Sequence, residues 1–175
     1  WRSLVGSEMC IRDRLYIVNH DGTQQLAYNI LGFIEGSPAL VDMDGDQDLE
    51  IFFTTTTTSG GQLYSIHHNG ITMSGFPKEL GSMWTGPAVH DIDNDGVYDI
   101  VCTTYDKEIY AIDVNGGAIK PGFPVTLEGR LDISPTVVDV DSDGDYEIAV
   151  GSNAGEIYVL HLSLIHISEP TRLRH

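Results

Sequence analysis

Acidic side chains recur at a fixed spacing in three short stretches, residues 42–50, 91–99 and 139–147, named here the first, second and third acidic loops. Each loop carries an acid at positions one, three, five and nine, and position seven offers a backbone carbonyl. Calcium takes about six to eight oxygen ligands, and alternate side chains of a tight loop can converge on it. The spacing therefore predicts up to three structural Ca²⁺ sites. The predicted ligands are Asp42, Asp44, Asp46, Asp48, Glu50, Asp91, Asp93, Asp95, Val97, Asp99, Asp139, Asp141, Asp143, Asp145 and Glu147.

Two other readings of the loops compete with this one. An EF-hand needs a bidentate Glu at loop position twelve, where this chain has Phe53, Cys102 and Val150. A turn without metal is the other alternative, because Asp, Asn and Gly favour turns by themselves. Four carboxylates packed without a cation would repel one another, and the pattern occurs three times in register. The metal is therefore preferred over the plain turn.

The loops belong to a repeat of about 48 residues, the period set by the steps between Asp42, Asp91 and Asp139. A Pro-led apolar run precedes each loop, a β-branched or aromatic run follows it, and a Tyr-containing run comes next. Such runs, separated by Gly and Asn turns, predict four short strands per unit, which is the size of a propeller blade. The predicted fold class is all-β, a partial β-propeller of about three four-stranded antiparallel blades. The predicted units are about 15–37, 38–86, 87–134 and 135–161.

The fourth strand of a unit is predicted to run towards Phe76-Pro77 or Phe123-Pro124. Proline is tolerated in an outer strand, which need not donate a ladder hydrogen bond.

The two ends of the chain do not continue the repeat. Ser3–Arg14 and Leu162–Arg172 both resemble translations of a sequencing-library adapter, read on opposite strands of DNA. Residues 1–14 and 162–175 are therefore predicted to be artefacts, with 15–161 the biological fragment.

Composition excludes several classes of function. The chain has 26 acidic and nine basic residues and a formal net charge of −17, so it repels nucleic acid and anionic membrane surfaces. No apolar run is long enough to span a bilayer. Cys102 is the only cysteine between residues 15 and 161, which leaves the redox compartment open.

The D-x-D-x-D-G-x-x-[DE] loop at this period resembles FG-GAP/VCBS-type repeats, which are similar to the calcium-loop blades of integrin α-subunits. The resemblance implies calcium ligands at positions one, three, five and nine and at the position-seven carbonyl. The first loop departs from it, because position six is Gln47 where the other loops have Gly96 and Gly144, and its glycine is Gly45. We therefore expect the first site to be distorted or weaker.

Other residues were weighed as sites. His67, His68, His90 and His161 share no common spacing, so strand packing is preferred to a transition-metal site. Trp84 lies where a propeller face is expected, and we expect either a packing role or contact with a protein or glycan ligand. No catalytic motif is recognisable, so the predicted function is not enzymatic.

The predicted function is a calcium-binding propeller scaffold for binding or adhesion in an extracellular or cell-surface protein, without nucleic-acid binding or membrane insertion. The location follows from the millimolar calcium outside cells, which fills loops of this kind. The alternative is an accessory propeller of a secreted hydrolase or polysaccharide lyase whose catalytic domain lies outside this fragment.

Overall fold

The computed structural model describes residues 13–161 and the backbone of residues 171–173, and in these residues the chain is all-β. No helix long and apolar enough to cross a membrane occurs in the described residues. The strands in chain order are β1 (Arg14–Val18), β2 (Gln24–Asn29), β3 (Ala39–Val41), β4 (Glu50–Thr57), β5 (Gly60–Ile66), β6 (Lys78–Leu80), β7 (Ala88–His90), β8 (Asp99–Thr103), β9 (Glu108–Asp113), β10 (Val125–Thr126), β11 (Thr136–Val138), β12 (Glu147–Gly151), β13 (Ile157–His161) and β14 (Thr171–Leu173).

The described strands form one two-stranded sheet and three four-stranded sheets, all antiparallel. β1 pairs with β2, and the first, second and third four-stranded sheets contain β3–β6, β7–β10 and β11–β14. Within each sheet, every strand pairs with its neighbour in sequence. The expected antiparallel four-stranded sheets, repeating at the predicted period, are thus present.

The prediction for the fourth strand was wrong in position. β6 and β10 begin after Phe76-Pro77 and Phe123-Pro124 instead of running into them, and both of these peptide bonds are cis. Proline has no N–H to donate, and the strand starts with the first residues that can pair, such as Lys78 opposite Leu63.

The hydrophobic core lies between consecutive sheets. In β8, Ile100 and Cys102 face the first four-stranded sheet, whereas Val101 faces the third. Successive side chains of a strand point to opposite faces, so a strand covered on both sides buries consecutive residues. All five residues of β8 are buried; Ile100, Val101 and Cys102 are apolar, whereas Asp99 and Thr103 at its two ends are polar.

The first strands of the three four-stranded sheets lie next to one another, with β7 between β3 and β11. The segments that lead into these strands touch backbone to backbone. A Cβ added to Gly36 would lie 2.0 Å from the amide nitrogen of Gly86, so a side chain cannot be placed there without moving the backbone. The segments that lead into β7 and β11 are also joined by a hydrogen bond, which Gly86 N donates to Ser134 Oγ.

β14 comes from the C-terminal segment that the sequence assigns to an adapter, and it pairs with β13. β1 begins at Arg14, one residue before the predicted boundary. The adapter origin of the two ends stays a prediction.

Candidate metal centre

Each acidic loop connects the first strand of a sheet to the second, and its position-nine acid is the first residue of that second strand. Glu50, Asp99 and Glu147 are therefore drawn into the core, with exposed fractions of 1%, 0% and 4%. A buried ionised carboxylate is costly unless a cation or hydrogen bonds compensate it.

Hydrogen bonds of one pattern fold all three loops. The position-one carboxylate accepts from the position-six amide at 2.9–3.1 Å, and the position-five carboxylate accepts from the position-seven amide at 2.8–2.9 Å. The position-nine carboxylate accepts from the position-two amide at 2.8–3.4 Å. These bonds use one oxygen of each position-five and position-nine carboxylate. The position-one carboxylate uses both of its oxygens, because the second one accepts from the amide of position four or five.

The first loop has the same positive-φ positions as the other two, and the expectation that its site is distorted or weaker stays a prediction. Positions four and six have positive φ in every loop: Gly45 (79°) and Gln47 (76°), Asn94 (55°) and Gly96 (85°), Ser142 (64°) and Gly144 (96°). Each loop therefore has one glycine and one strained residue. In the first loop the glycine is at position four and the non-glycine residue at position six, which is the reverse of the other two loops.

The structure brings positions one, three and nine together in every loop. Their ligand atoms lie within 4.8 Å of one another. The three groups are Asp42, Asp44 and Glu50; Asp91, Asp93 and Asp99; and Asp139, Asp141 and Glu147. Among the position-five acids, Asp143 lies within the same distance of Glu147 and His161, whereas Asp46 and Asp95 are outside these groups. The position-seven carbonyls of Asp48, Val97 and Asp145 stay predicted ligands.

A lysine occupies the acidic cluster of the second loop. Nζ of Lys120 lies 2.8 Å from Asp93, 3.3 Å from Asp95 and 3.1 Å from Oδ1 of Asp99, the last as a charge contact without hydrogen-bond geometry. Burial alone would lower the pKa of Lys120, but its interactions with Asp93 and Asp99 outweigh burial and raise it above its ordinary value. Burial raises the pKa of Asp99 to about 6, while Lys120 opposes that rise.

The third loop has a histidine in place of the lysine. Nε2 of His161 lies 3.6 Å from Asp143 and 3.5 Å from Oε1 of Glu147. Oε1 of Glu147 is buried and accepts no hydrogen bond from any described residue, whereas Oε2 accepts from the amide of Val140 at 2.8 Å. The hydrogen bond from the amide of Asp145 lowers the pKa of Asp143.

The first loop is also bordered by histidines. Nδ1 of His67 lies 3.1 Å from Oε1 of Glu50, and Nδ1 of His68 lies 3.5 Å from Asp48.

These neighbours share a structural position that sequence spacing did not reveal. Glu147 pairs with His161 across the β12–β13 ladder, and Asp99 pairs with Asp113 across β8–β9; His67 follows the end of β5 opposite Glu50. The residue opposite the position-nine acid is thus His67 in the first loop, Asp113 in the second and His161 in the third. A search for residues opposite that acid would have identified both histidines, whereas Lys120 comes from beyond the hairpin turn.

Trp84 is exposed by 55% and lies beside Tyr105, with ring centroids 6.0 Å apart. The guanidinium carbon of Arg130 lies 4.5 Å from the Tyr105 ring centroid, and Arg130 also pairs with Asp132 at 3.0 Å. We name Trp84, Tyr105 and Arg130 the aromatic patch. Trp84 is partly buried against Tyr105, which fits the partly buried packing role considered for it, and its exposed part leaves ligand contact open.

Residues 42–102, which contain the first two acidic loops, match the family model described as an FG-GAP-like repeat. The match is consistent with FG-GAP-type repeats in that part of the chain. FG-GAP repeats are β-propeller-like, are generally non-catalytic scaffolds, and are typical of extracellular proteins.

The fold also resembles a solved structure, described as the crystal structure of BBS1N in complex with ARL6DN, soaked with lead. The likeness has a TM-score of 0.55 at 15% sequence identity and covers 93% of this chain and 52% of that chain. This chain therefore spans about half the length of that structure, and the likeness concerns the fold alone. No curated protein matches the sequence.

Proposed function

We propose that this chain is part of a calcium-stabilised β-propeller, in which units 38–86, 87–134 and 135–161 are successive blades and 15–37 ends an earlier one. Face-to-face packing of consecutive sheets and the neighbouring first strands support this arrangement. Radial repetition of such sheets protects their edges.

One observation carries the calcium assignment: the buried Oε1 of Glu147, which accepts no hydrogen bond from the described residues. It points into a group of carboxylates whose other oxygens are held by backbone amides. The acids of the loop offer oxygen donors, which a hard cation prefers. Bound calcium would neutralise the carboxylates and hold the connection between the first and second strands.

Extracellular modules bind calcium with Kd on the order of 10⁻⁴–10⁻³ M, and this range supports an extracellular or cell-surface location. The test is calorimetric titration of the 175-residue chain with calcium chloride, together with thermal melting in calcium and in chelator. We expect heat of binding and a higher Tm in calcium. Asp141→Ala should remove the third site, and Asp106→Ala, at an exposed turn outside the loops, is the control. Absence of heat and of any Tm change would exclude the proposal.

The aromatic patch supports a non-catalytic binding role. Exposed Trp and Tyr rings beside a guanidinium offer a flat apolar face with adjacent hydrogen-bond donors, which suits a protein or glycan ligand. We expect Trp84 fluorescence to change on titration with a binding oligosaccharide or peptide and the change to be lost in Trp84→Ala. Ile71→Ala, an exposed apolar residue remote in sequence, should leave the response intact.

A further inference from the structure

We propose that the ammonium of Lys120 takes the place of a metal ion in the second acidic loop and so prevents calcium from binding there. The first and third loops remain able to bind calcium. This inference rests on the proposed calcium function.

The position of the ammonium is that of a loop cation. Nζ of Lys120 lies 2.8–3.3 Å from the acids at positions three, five and nine, which are Asp93, Asp95 and Asp99. An ammonium carries three donors, and here three carboxylates surround it. The side chain is only 13% exposed, so it is held within the loop and not on its surface.

The backbone around Lys120 is anchored, which fixes the start of its side chain. The amide of Lys120 donates to the carbonyl of Ala111 at 2.9 Å, and its own carbonyl accepts from Phe123 at 3.2 Å. The adjacent Ile119 bridges to Ile112. A lysine anchored in this way loses less freedom on entering the loop than one on a mobile segment.

The first unit shows what the same position does without a cation. The amide of Met73 donates to Ser65 at 2.9 Å, and the carbonyl of Met73 accepts from Phe76 at 3.2 Å. Met73 is therefore the structural equivalent of Lys120. Its thioether packs with the apolar core and meets the hydroxyl of Ser65, so the first loop receives no charge from this position.

A calcium ion entering the second loop must displace the ammonium from the acids it would use itself. Lys120 and calcium then compete for one set of carboxylate oxygens. The apparent affinity for calcium is therefore lowered by the free energy of the lysine contacts. The first loop has Met73 at this position, and Nδ1 of His67 lies 3.1 Å from one of its acids, Glu50. The third loop has His161 beside Asp143 and Glu147 at 3.5–3.6 Å, which is farther than the lysine contacts.

The experiment is calcium titration calorimetry of the 175-residue chain and two reciprocal variants, Lys120→Met and Met73→Lys, with far-ultraviolet circular dichroism to check folding. We expect two calcium equivalents for the original chain and three for Lys120→Met, with affinity at the second loop rising on the order of tenfold or more. Met73→Lys should lose one equivalent, because it gives the first loop a cation.

The outcomes separate the two proposals. No calcium binding by the original chain or either variant would remove the proposed calcium function. Three equivalents in the original chain, with no change in Lys120→Met, would overturn the role of Lys120 and leave calcium binding intact. Folding of Lys120→Met only when calcium is present would support the inference. If that variant folds neither with nor without calcium, the test is Met73→Lys. The same number of bound calcium equivalents in Met73→Lys as in the original chain would overturn the inference.

Discussion

The second and third acidic loops have the same backbone and the same spacing of acids but meet different neighbours. Asp99 in the second loop lies 3.1 Å from the ammonium of Lys120. Glu147 in the third keeps a buried oxygen that accepts no hydrogen bond from the described residues, with an imidazole nitrogen 3.5 Å away. The carboxylates of one loop type can therefore be neutralised either by a side chain of the same protein or by a cation bound from solution.

The difference teaches that loop sequence and loop occupancy are separate properties. Carboxylates converging on one point need positive charge, but the loop does not specify its source. A tethered ammonium acts at any calcium concentration, whereas a metal stabilises in proportion to its occupancy. One fold can thus hold units that respond to calcium beside units that do not.

The largest expected effect comes from removing the tethered cation. Lys120→Met should lower the free energy of unfolding in chelator by about 3 kcal/mol, since it leaves Asp99 buried without its partner. Calcium should restore much of the loss. Urea denaturation with and without calcium measures both effects. Lys107→Met, at an exposed turn of the same sheet, should change stability by less than about 0.5 kcal/mol; equal losses in the two variants would contradict this account.

The second effect should have opposite signs in the two loops. Glu147→Gln removes a buried charge, so stability in chelator should rise by about 1–2 kcal/mol and the gain from calcium should shrink. Asp99→Asn removes the buried partner of Lys120, so stability should fall by a similar amount. Chemical denaturation in chelator measures the change in the free energy of unfolding for both variants. Changes of the same sign would contradict the proposed difference between the two loops.

Calcium removal should affect the backbone of the two loops unequally. With calcium at about ten times its Kd, binding contributes about 1.4 kcal/mol to stability, so chelation should speed amide exchange in the third loop by about tenfold. Exchange in the second loop should change little. Hydrogen-exchange mass spectrometry of peptides covering 91–99 and 139–147 compares them directly, and equal acceleration in both would remove the distinction.

The smallest effect concerns the strained residues. Gln47→Gly and Ser142→Gly should each raise the free energy of unfolding by up to about 1 kcal/mol, because both residues have positive φ. Gly96→Ala should lower it by about 1 kcal/mol: no atom lies within 4 Å of the added Cβ, so the cost is conformational alone. Thermal melting of the three variants measures these changes. No gain in Gln47→Gly would show that the first loop relieves its strain in another way.

Several features of the fold were predictable from local patterns. Strands such as β8 and β9 were evident because β-branched and aromatic runs alternate with Gly and Asn turns at a constant period. The fourth strand was misplaced because the sequence shows only that proline is tolerated in an edge strand. It does not show whether strand pairing lies before or after the proline. The first loop was expected to be distorted because its glycine is not at position six. Its φ angles are nevertheless positive at positions four and six, as in the other loops, and glycine adopts positive φ readily at either position.

The candidate site was predictable only in part. The positions of Asp91, Asp93 and Asp99 follow from spacing, since a tight loop brings alternate side chains to one side. The approach of Lys120, separated from Asp93 by 27 residues, depends on a hairpin and a loop returning to the same end of the sheet.

The sequence by itself determined that this chain repeats, that its strands are antiparallel neighbours, and that acids gather between the first and second strands of each unit. Only the tertiary structure decided which side chain faces each acidic loop. The physical reason is that loop conformation is set by nearby residues through φ and local hydrogen bonds, whereas its charged neighbours are set by register across the sheet, where Glu147 meets His161 and Asp99 meets Asp113.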